Sequence, residues 1–272
     1  MTPNELVERL DDPDLVIVDC RWYLTDPDAG HHAYSEGHLP GALYASLDDD
    51  LSGAKGPGRH PLPTPEAFGE TCAALGITES TTVVAYDDSG GAVASRLWWM
   101  LMNQGHRRAF VLDGGIQAWT NAGGSITGAN TPQRTGGFAT KNWSRTVDRG
   151  VVANRSDPRI VIDARSRERY RGQEEAVDPK AGHIPGALSM PLTDNLNDDL
   201  TLLPADTLKQ RFEAAGITDA ELVISQCGSG VTACHNILAM AVAGMGIADL
   251  YVGSWSDWSI SGFPIATGDE PG

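Results

Sequence analysis

The feature that most constrains the fold is an internal repeat, which spans both halves of the 272-residue chain. Residues 182–188 read Gly-His-Ile-Pro-Gly-Ala-Leu and differ at a single position from residues 37–43, Gly-His-Leu-Pro-Gly-Ala-Leu. The stretch Ile-Val-Ile-Asp-Ala-Arg, residues 160–165, likewise corresponds to the strand that ends in Asp-Cys-Arg at residues 19–21. Self-similarity on this scale indicates two copies of one structural unit.

Each half alternates short β-branched runs with amphipathic segments. This alternation predicts an α/β fold in which each domain is a mainly parallel sheet flanked by helices. Helices are expected to start after Thr2 and Thr64, because a proline follows each of these capping residues. The remaining predicted elements are strands over 15–18, 82–86, 109–112, 160–162 and 222–226, and helices over 92–102, around 119, over 204–215 and over 237–242.

The repeat sets the domain boundaries. Residues 1–123 form the first predicted domain and residues 148–272 the second. Between them, residues 124–147 are rich in glycine, threonine and asparagine and show little apolar periodicity, which is typical of a linker. Clefts between domains are favoured binding sites for small ligands, so a small-molecule function is expected.

Composition excludes several partners. The formal net charge is −16, with no run of lysine or arginine, so neither nucleic acid nor an anionic membrane is an expected partner. No apolar run is long enough for a membrane helix, and residues 1–5 lack the pattern of a signal peptide. The four cysteines show no metal-binding spacing. We therefore expect a cytoplasmic protein with free thiols and no metal site.

One cysteine stands in a setting that suits catalysis. The strand predicted over 222–226 leads directly into Cys227-Gly228-Ser229-Gly230-Val231-Thr232, and an apolar helical segment follows. A cysteine between a strand and a helix N-terminus faces backbone N–H groups, which favour the thiolate and make it a nucleophile. A small buried structural cysteine is the alternative.

The tandem repeat, the two Gly-His-Xaa-Pro-Gly-Ala stretches and the Cys-Gly-Ser-Gly-Val-Thr loop resemble the two-domain rhodanese family of sulfurtransferases. The loop is most similar to the 3-mercaptopyruvate sulfurtransferase branch. Thiosulfate-using members typically carry basic residues directly after the cysteine, where this chain has Gly228 and Ser229. Mercaptopyruvate is therefore the expected donor, and thiosulfate is the alternative.

The resemblance implies a mechanism without a cofactor. Cys227 attacks the sulfur of a small anionic donor and retains it as a persulfide, which cyanide, a small thiol or a thioredoxin then removes. The loop from Gly228 through Gly230, Val231 and Thr232 would supply amides that bind the donor and stabilise the anionic sulfur. At the matching position of the first half stands Asp87. A carboxylate cannot form a persulfide, so the first domain is expected to be catalytically inactive.

The family resemblance also implies roles for four other residues. Arg169 resembles the arginine that holds the carboxylate of the substrate; a surface arginine is the alternative. Ser229, His60 and Asp48 resemble a relay that assists sulfur transfer by moving a proton. The alternatives are a serine that keeps the loop small, a histidine that caps a turn and an aspartate in a solvated acidic run.

One position departs from the family pattern. A second arginine often lies nine residues after the first in mercaptopyruvate enzymes, whereas this chain has Asp178 there. Arg171 and Arg21 are candidates for the second anion contact. His38 and His183 occupy equivalent places in both halves, so a structural role is expected for them, and Cys234 is expected in the core.

Two other classes of protein compete with this interpretation. A cysteine phosphatase or arsenate reductase needs a Cys-x5-Arg loop, but the residue at that position, after Thr232, is Ala233. A non-enzymatic persulfide carrier or regulatory module is compatible with the loop and remains open.

Overall fold

The computed structural model describes residues 1–54, 56–155 and 158–272. The chain divides into two compact units. The first consists of Met1–Ala54, Leu62–Ser144 and Asp198–Leu202, and the second of Lys55–Pro61, Arg145–Asn197 and Leu203–Gly272. A short loop from the first half of the sequence is thus grouped with the second unit.

The first unit contains a four-stranded parallel sheet with the strand order β2-β1-β3-β4. Every residue of the two central strands is buried, which fits their β-branched, apolar sequences. The elements in chain order are α1 (Pro3–Val7), β1 (Leu15–Asp19), α2 (Ala29–Glu36), β2 (Ala42–Tyr44), α3 (Pro65–Ala74), β3 (Thr82–Tyr86), α4 (Ala94–Asn103), β4 (Ala109–Val111) and α5 (Gly115–Asn121).

The second unit contains a five-stranded parallel sheet with the order β5-β9-β8-β6-β7. Two 3₁₀ helices, Leu192–Asn195 and Ala220–Leu222, lie among its connections. The other elements are β5 (Thr146–Val147), α6 (Arg149–Ala153), β6 (Ile160–Asp163), α7 (Arg167–Arg171), β7 (Ala187–Ser189), α8 (Ala205–Ala214), β8 (Val223–Gln226), α9 (Ala233–Val242), β9 (Asp249–Tyr251) and α10 (Ser254–Trp258).

The two sheets confirm the predicted repeat and the predicted α/β fold. Strands β2, β1, β3 and β4 correspond in order to β7, β6, β8 and β9, and β5 is an additional edge strand. The predicted N-terminal caps are present: Thr2 forms a capping box with Glu5, and Thr64 accepts the N–H of Ala67. Helices α2 and α7 were not predicted, because their few apolar residues give little periodicity.

Among the described residues, no helix combines the length and the apolar character that a membrane crossing requires. Each sheet instead packs into a compact apolar core. The cluster in the first unit includes Leu6, Ile17, Val84 and Trp119, and the cluster in the second includes Val161, Ile224 and Trp255.

A buried ion pair follows the first strand of each repeat. In the first unit, the Asp19 carboxylate accepts hydrogen bonds from Arg21 Nη2 at 2.6 Å and from the Tyr86 hydroxyl at 2.7 Å. The same Nη2 atom donates to the Gly37 carbonyl at 2.7 Å. Asp163 and Arg165 repeat this arrangement in the second unit, where Arg165 Nη2 reaches the Gly182 carbonyl. The pair therefore ties the first strand of each unit to its Gly-His turn.

Replacing Asp19 by alanine should lower the free energy of unfolding by about 3–5 kcal/mol, because it leaves a buried guanidinium without its counter-ion. Urea denaturation followed by circular dichroism measures this change. Glu36→Ala removes an exposed carboxylate nearby and should stay within about 0.5 kcal/mol of the parent. Equal stability of the two variants would show that the Asp19–Arg21 pair does not support the fold.

Candidate active site

Cys227 lies directly after strand β8, in the loop that leads to helix α9. Its side chain is buried, and its Sγ accepts the backbone N–H of Gly230 at 3.2 Å. Gly230 has a φ of +77°, and a Cβ atom there would lie 2.4 Å from the carbonyl oxygen of Val252. Only glycine fits this position, so the loop that places an N–H on the sulfur depends on Gly230.

The start of α10 holds the loop from the other side. The Cys227 N–H donates to Ser254 Oγ at 3.1 Å, while the carbonyls of Cys227 and Gly228 each accept a backbone N–H from α10 at 2.9 Å. Ser254 itself has a φ of +52°, a left-handed conformation that is unfavourable for serine. Strained backbone of this kind is concentrated at functional sites.

The loop residues predicted to bind the donor differ in the contacts that their backbone groups make. The carbonyls of Val231 and Thr232 accept the N–H groups of Cys234 and His235, which closes the first turn of α9. Gly230 supplies the amide that contacts the sulfur. The binding roles of Gly228, Val231 and Thr232 stay predictions.

The corresponding loop of the first unit shows what the same backbone does around an anion. The Asp87 carboxylate accepts four backbone N–H groups, from Ser89 and Gly91 on Oδ1 and from Val93 and Ala94 on Oδ2, at 2.8–2.9 Å. Asp87 is fully buried. Backbone N–H groups of the loop after β3 therefore stabilise a negative charge. The position equivalent to Cys227 holds a carboxylate in the first unit, and a carboxylate cannot carry sulfur.

The other cysteines lie in surroundings that do not activate a thiol. Burial raises the pKa of Cys72 to about 12. Burial, with the nearby carboxylates of Asp19 and Asp87, also raises the pKa of Cys20. Cys234 lies within α9, fully buried, and its Sγ lies 3.6 Å from the Gly230 carbonyl oxygen. The predicted core position of Cys234 is confirmed.

Two of the three predicted relay residues meet in the second unit. Ser229 Oγ lies 2.8 Å from His60 Nδ1, and both side chains are buried. His60 reaches this place because residues 56–61 pack on α10: the Arg59 N–H donates to Ser256 Oγ at 3.0 Å. A Cβ atom on Gly58, whose φ is +79°, would lie 2.4 Å from the Gly253 carbonyl oxygen. This glycine permits the close approach of the loop.

Asp48, the third predicted member, belongs to the first unit. There its Oδ2 accepts a hydrogen bond from Trp22 Nε1 at 2.8 Å. Its participation in the relay stays a prediction.

Arg169 lies next to the nucleophile loop and not on a distant surface. One of its terminal nitrogens would lie 3.2 Å from a Cβ atom on Gly228. Its Nη2 donates to Glu175 at 2.9 Å and to Asp178 at 3.1 Å, and both carboxylates are buried. The residue that replaces the expected second arginine thus holds the first one in position.

The two candidates for the second anion contact are engaged elsewhere. Arg21 is paired with Asp19 in the buried cluster of the first unit, and Arg171 is paired with Asp269. Arg59, which we did not select from the sequence, instead lies beside Gly228 and pairs with Asp178. In the sequence, only its position directly before His60 indicates that Arg59 lies in the site. This position becomes informative only when residues 56–61 are known to belong to the second unit.

A third arginine lies close to the cysteine but deeper in the protein. Arg165 is buried, with its guanidinium 4.6 Å from the centre of the Trp255 ring. Burial disfavours its charge, yet Asp163, Glu175 and Cys227 together raise its pKa above the ordinary value. A fixed positive charge of this kind stabilises anionic sulfur at Cys227.

Comparison with known proteins agrees with the fold. The family model described as the rhodanese-like domain matches residues 2–122 and 149–261. The chain belongs to the rhodanese-like family and carries two copies of its domain. This confirms the family predicted from the Gly-His-Xaa-Pro-Gly-Ala stretches and the cysteine loop.

Individual relatives extend the similarity over the full length. A Pseudomonas aeruginosa protein named "Probable 3-mercaptopyruvate sulfurtransferase" is 44% identical, over 99% of this chain and 98% of the relative. "Thiosulfate/3-mercaptopyruvate sulfurtransferase 1, mitochondrial" from Arabidopsis thaliana is 36% identical over 92% of this chain and 73% of its own length. The crystal structure of SseA from Escherichia coli, a 3-mercaptopyruvate sulfotransferase, superposes with a TM-score of 0.81 at 30% identity, covering 94% of this chain and 98% of SseA. The predicted class of enzyme, a sulfurtransferase, is confirmed.

Replacing Asp87 by alanine should lower the free energy of unfolding by about 3 kcal/mol or more, because buried N–H groups lose their acceptor. Asp87→Asn keeps one acceptor oxygen and should lose about half as much. Chemical denaturation measures both, with the exposed Glu79→Ala as a control. A neutral effect of Asp87→Ala would mean that the carboxylate does not organise this loop.

Proposed function

We propose that this protein transfers a sulfane sulfur from 3-mercaptopyruvate to a thiophilic acceptor through a persulfide on Cys227. The observation that carries the proposal is the arrangement at one loop: Cys227 Sγ accepts a backbone N–H, Ser229 contacts His60, and Arg169 lies beside Gly228. Nucleophile, proton-transferring pair and anion-binding group are thus brought together. The 44% identity to the Pseudomonas aeruginosa protein supports the choice of donor.

The chemistry balances without a cofactor. The Cys227 thiolate attacks the thiol sulfur of mercaptopyruvate, and the carbon–sulfur bond breaks to give the enolate of pyruvate. The proton of the substrate thiol ends on the enolate carbon, which leaves pyruvate and an anionic persulfide. Cyanide, a small thiol or a thioredoxin then takes the outer sulfur and restores the thiolate. With cyanide the second product is thiocyanate.

The Ser229–His60 pair is suited to moving that proton. A hydroxyl and an imidazole 2.8 Å apart form a short path between the thiol of the donor and the carbon that must be protonated. We infer that Asp48 completes the relay, as the family resemblance implies. The pair is not needed when the leaving group is sulfite, because sulfite leaves thiosulfate without a carbon to protonate.

Thiosulfate is the alternative donor, and the charges of the site are compatible with it. The residues after the cysteine, Gly228 and Ser229, carry no charge, yet the guanidinium groups of Arg59 and Arg169 flank Gly228. Positive charge therefore reaches the place where thiosulfate enzymes typically have basic loop residues. The Arabidopsis thaliana relative carries the names of both donors. The ratio of kcat/KM for the two donors decides between them.

The proposal also includes the cellular location and the domain boundaries. None of the four cysteines forms a disulfide, which fits a reducing compartment and supports a cytoplasmic location. We retain residues 1–123 and 148–272 as the domains of this proposal, with catalysis assigned to the second. A persulfide that forms once but does not turn over with any acceptor would favour a sulfur carrier over an enzyme.

Replacing Cys227 by serine should abolish sulfur transfer from mercaptopyruvate to cyanide, because the variant cannot form a persulfide. Cys234→Ser is the matched control and should retain most of the activity, since Cys234 lies in the core of α9. Thiocyanate production measures turnover, and mass spectrometry detects a gain of one sulfur on Cys227. Substantial activity in Cys227→Ser would contradict the proposed nucleophile.

Replacing Ser229 by alanine, or His60 by asparagine, should lower kcat with mercaptopyruvate about a hundred-fold, as loss of general acid–base catalysis does. The effect with thiosulfate should be much smaller, because no carbon is protonated. Ser189→Ala is a suitable control, since Ser189 Oγ is buried without a hydrogen-bond partner in the described part of the chain. An equal loss with both donors would indicate that the pair only shapes the loop.

A further inference from the structure

Ser256, in the short helix α10, contacts two segments of the active site at once. Its backbone N–H donates to the carbonyl of Gly228, in the nucleophile loop, at 2.9 Å. Its hydroxyl accepts the backbone N–H of Arg59 at 3.0 Å and donates to the carbonyl of Gly253 at 3.0 Å. Ser256 is only 8% exposed, and a buried hydrogen bond is electrostatically stronger than one in water. The main chain of this serine thus holds the nucleophile loop, while its side chain holds residues 56–61.

Residues 56–61 also pack tightly on α10 at a second point. Gly58 has a φ of +79°, and a Cβ atom there would lie 2.4 Å from the Gly253 carbonyl oxygen and 2.9 Å from Ser256 Oγ. These two atoms are the ones that the side-chain hydrogen bond of Ser256 joins. The segment therefore lies directly on this hydrogen bond, and a side chain at position 58 would push the segment away from the helix.

These contacts fix the position of the histidine that is assigned to proton transfer. His60 directly follows Arg59, whose N–H is bound by Ser256. His60 Nδ1 lies 2.8 Å from Ser229 Oγ. Ser229 in turn directly follows Gly228, whose carbonyl is bound by the Ser256 N–H. Each partner of the histidine–serine pair is therefore one residue away from a hydrogen bond to the same serine of α10.

We propose that Ser256 is a positioning residue, which sets the distance between Ser229 and His60 by holding both segments on α10. This inference deepens the proposed function and rests on it, because it takes the proton-transfer role of the pair from there. The two contacts of Ser256 can be separated experimentally. Replacement by alanine removes the hydroxyl that holds residues 56–61 but keeps the N–H that holds Gly228.

Ser256→Ala should lower kcat at saturating mercaptopyruvate about ten-fold, the effect expected for one lost hydrogen bond. The kcat with thiosulfate should change little, because sulfite leaves without a carbon to protonate. Ser256→Thr keeps the hydroxyl and should retain most of the activity. The rate at which iodoacetamide alkylates Cys227, followed by mass spectrometry, should also stay near that of the parent, since the N–H that holds Gly228 is still present.

Ser261→Ala is the matched control. The Ser261 hydroxyl donates to the carbonyl of Trp258, three residues before it, as the Ser256 hydroxyl does to Gly253. Its Oγ also accepts a backbone N–H, in this case from within the segment that follows α10. Within the described ranges, no hydrogen bond joins Ser261 to residues 56–61. Its replacement should therefore leave kcat unchanged with both donors.

Gly58→Ala displaces the same segment without changing α10, and it keeps the inference testable if Ser256→Ala does not fold. It should lower kcat with mercaptopyruvate at least as much as Ser256→Ala and again have little effect with thiosulfate. Gly244→Ala controls for the strained backbone, because Gly244 has a φ of +71° and open space where a Cβ atom would lie. Melting curves show which variants are folded.

A measurement without turnover separates this inference from the proposed function. The NMR signals of the His60 ring nitrogens, identified by their absence from His60→Asn, report the hydrogen bond to Ser229. They should shift in Ser256→Ala in the direction seen in Ser229→Ala and stay unchanged in Ser261→Ala. Such a shift in a protein that transfers no sulfur from mercaptopyruvate would leave the positioning role standing and refute the proposed function.

Two results would overturn the positioning role of Ser256. The first is a folded Ser256→Ala that turns mercaptopyruvate over as the parent does and whose His60 signals are unshifted. The second is an equal loss of kcat with both donors together with slower alkylation of Cys227, because the serine would then act on the nucleophile loop alone. Both results leave the persulfide mechanism of the proposed function intact.

Discussion

In each unit, the loop after one central strand is organised around a hydrogen-bond acceptor at its centre. That strand is β3 in the first unit and β8 in the second. The chain turns there from strand to helix, and buried N–H groups of the turn need an acceptor. In the first unit the Asp87 carboxylate accepts four of them. In the second unit Cys227 Sγ accepts one, from Gly230. Equivalent scaffolds thus hold a carboxylate in one unit and a cysteine sulfur in the other, and each accepts backbone N–H groups of its loop.

The electrostatics of the second unit are local and do not follow the net charge of −16. Three arginines contribute positive charge here: Arg165 interacts electrostatically with Cys227, and Arg59 and Arg169 lie beside Gly228. Each is paired with a buried carboxylate, which holds the guanidinium in place and offsets the cost of its burial. The acidic residues of this region therefore allow three arginines to be placed near Cys227.

Much of the fold could be predicted from the sequence, because repeated motifs and β-branched strands are local signals. The cysteine loop also followed from residue types, and the pairing of Ser229 with His60 was implied by the family resemblance. Arg59 did not, since its position depends on Gly58 packing against the Gly253 carbonyl, a contact between residues far apart in the chain. The contacts of Asp178 could not be predicted for a related reason. The sequence indicated only that the expected second arginine is absent there, whereas in the structure the Asp178 carboxylate joins two arginines.

The choice of donor rests on proton transfer more than on charge. Paired guanidinium groups bind a carboxylate or a sulfonate-like group in nearly the same way, so the arginines beside Gly228 discriminate weakly between mercaptopyruvate and thiosulfate. The bonds that break are different. Cleavage of the carbon–sulfur bond of mercaptopyruvate leaves an enolate, which needs a proton. Cleavage of the sulfur–sulfur bond of thiosulfate leaves sulfite, a stable oxyanion. A buried hydroxyl–imidazole pair at 2.8 Å has a catalytic use only in the first case. The presence of Ser229 and His60 together is therefore the structural argument for mercaptopyruvate, and Gly228 matters because it leaves room for the arginines.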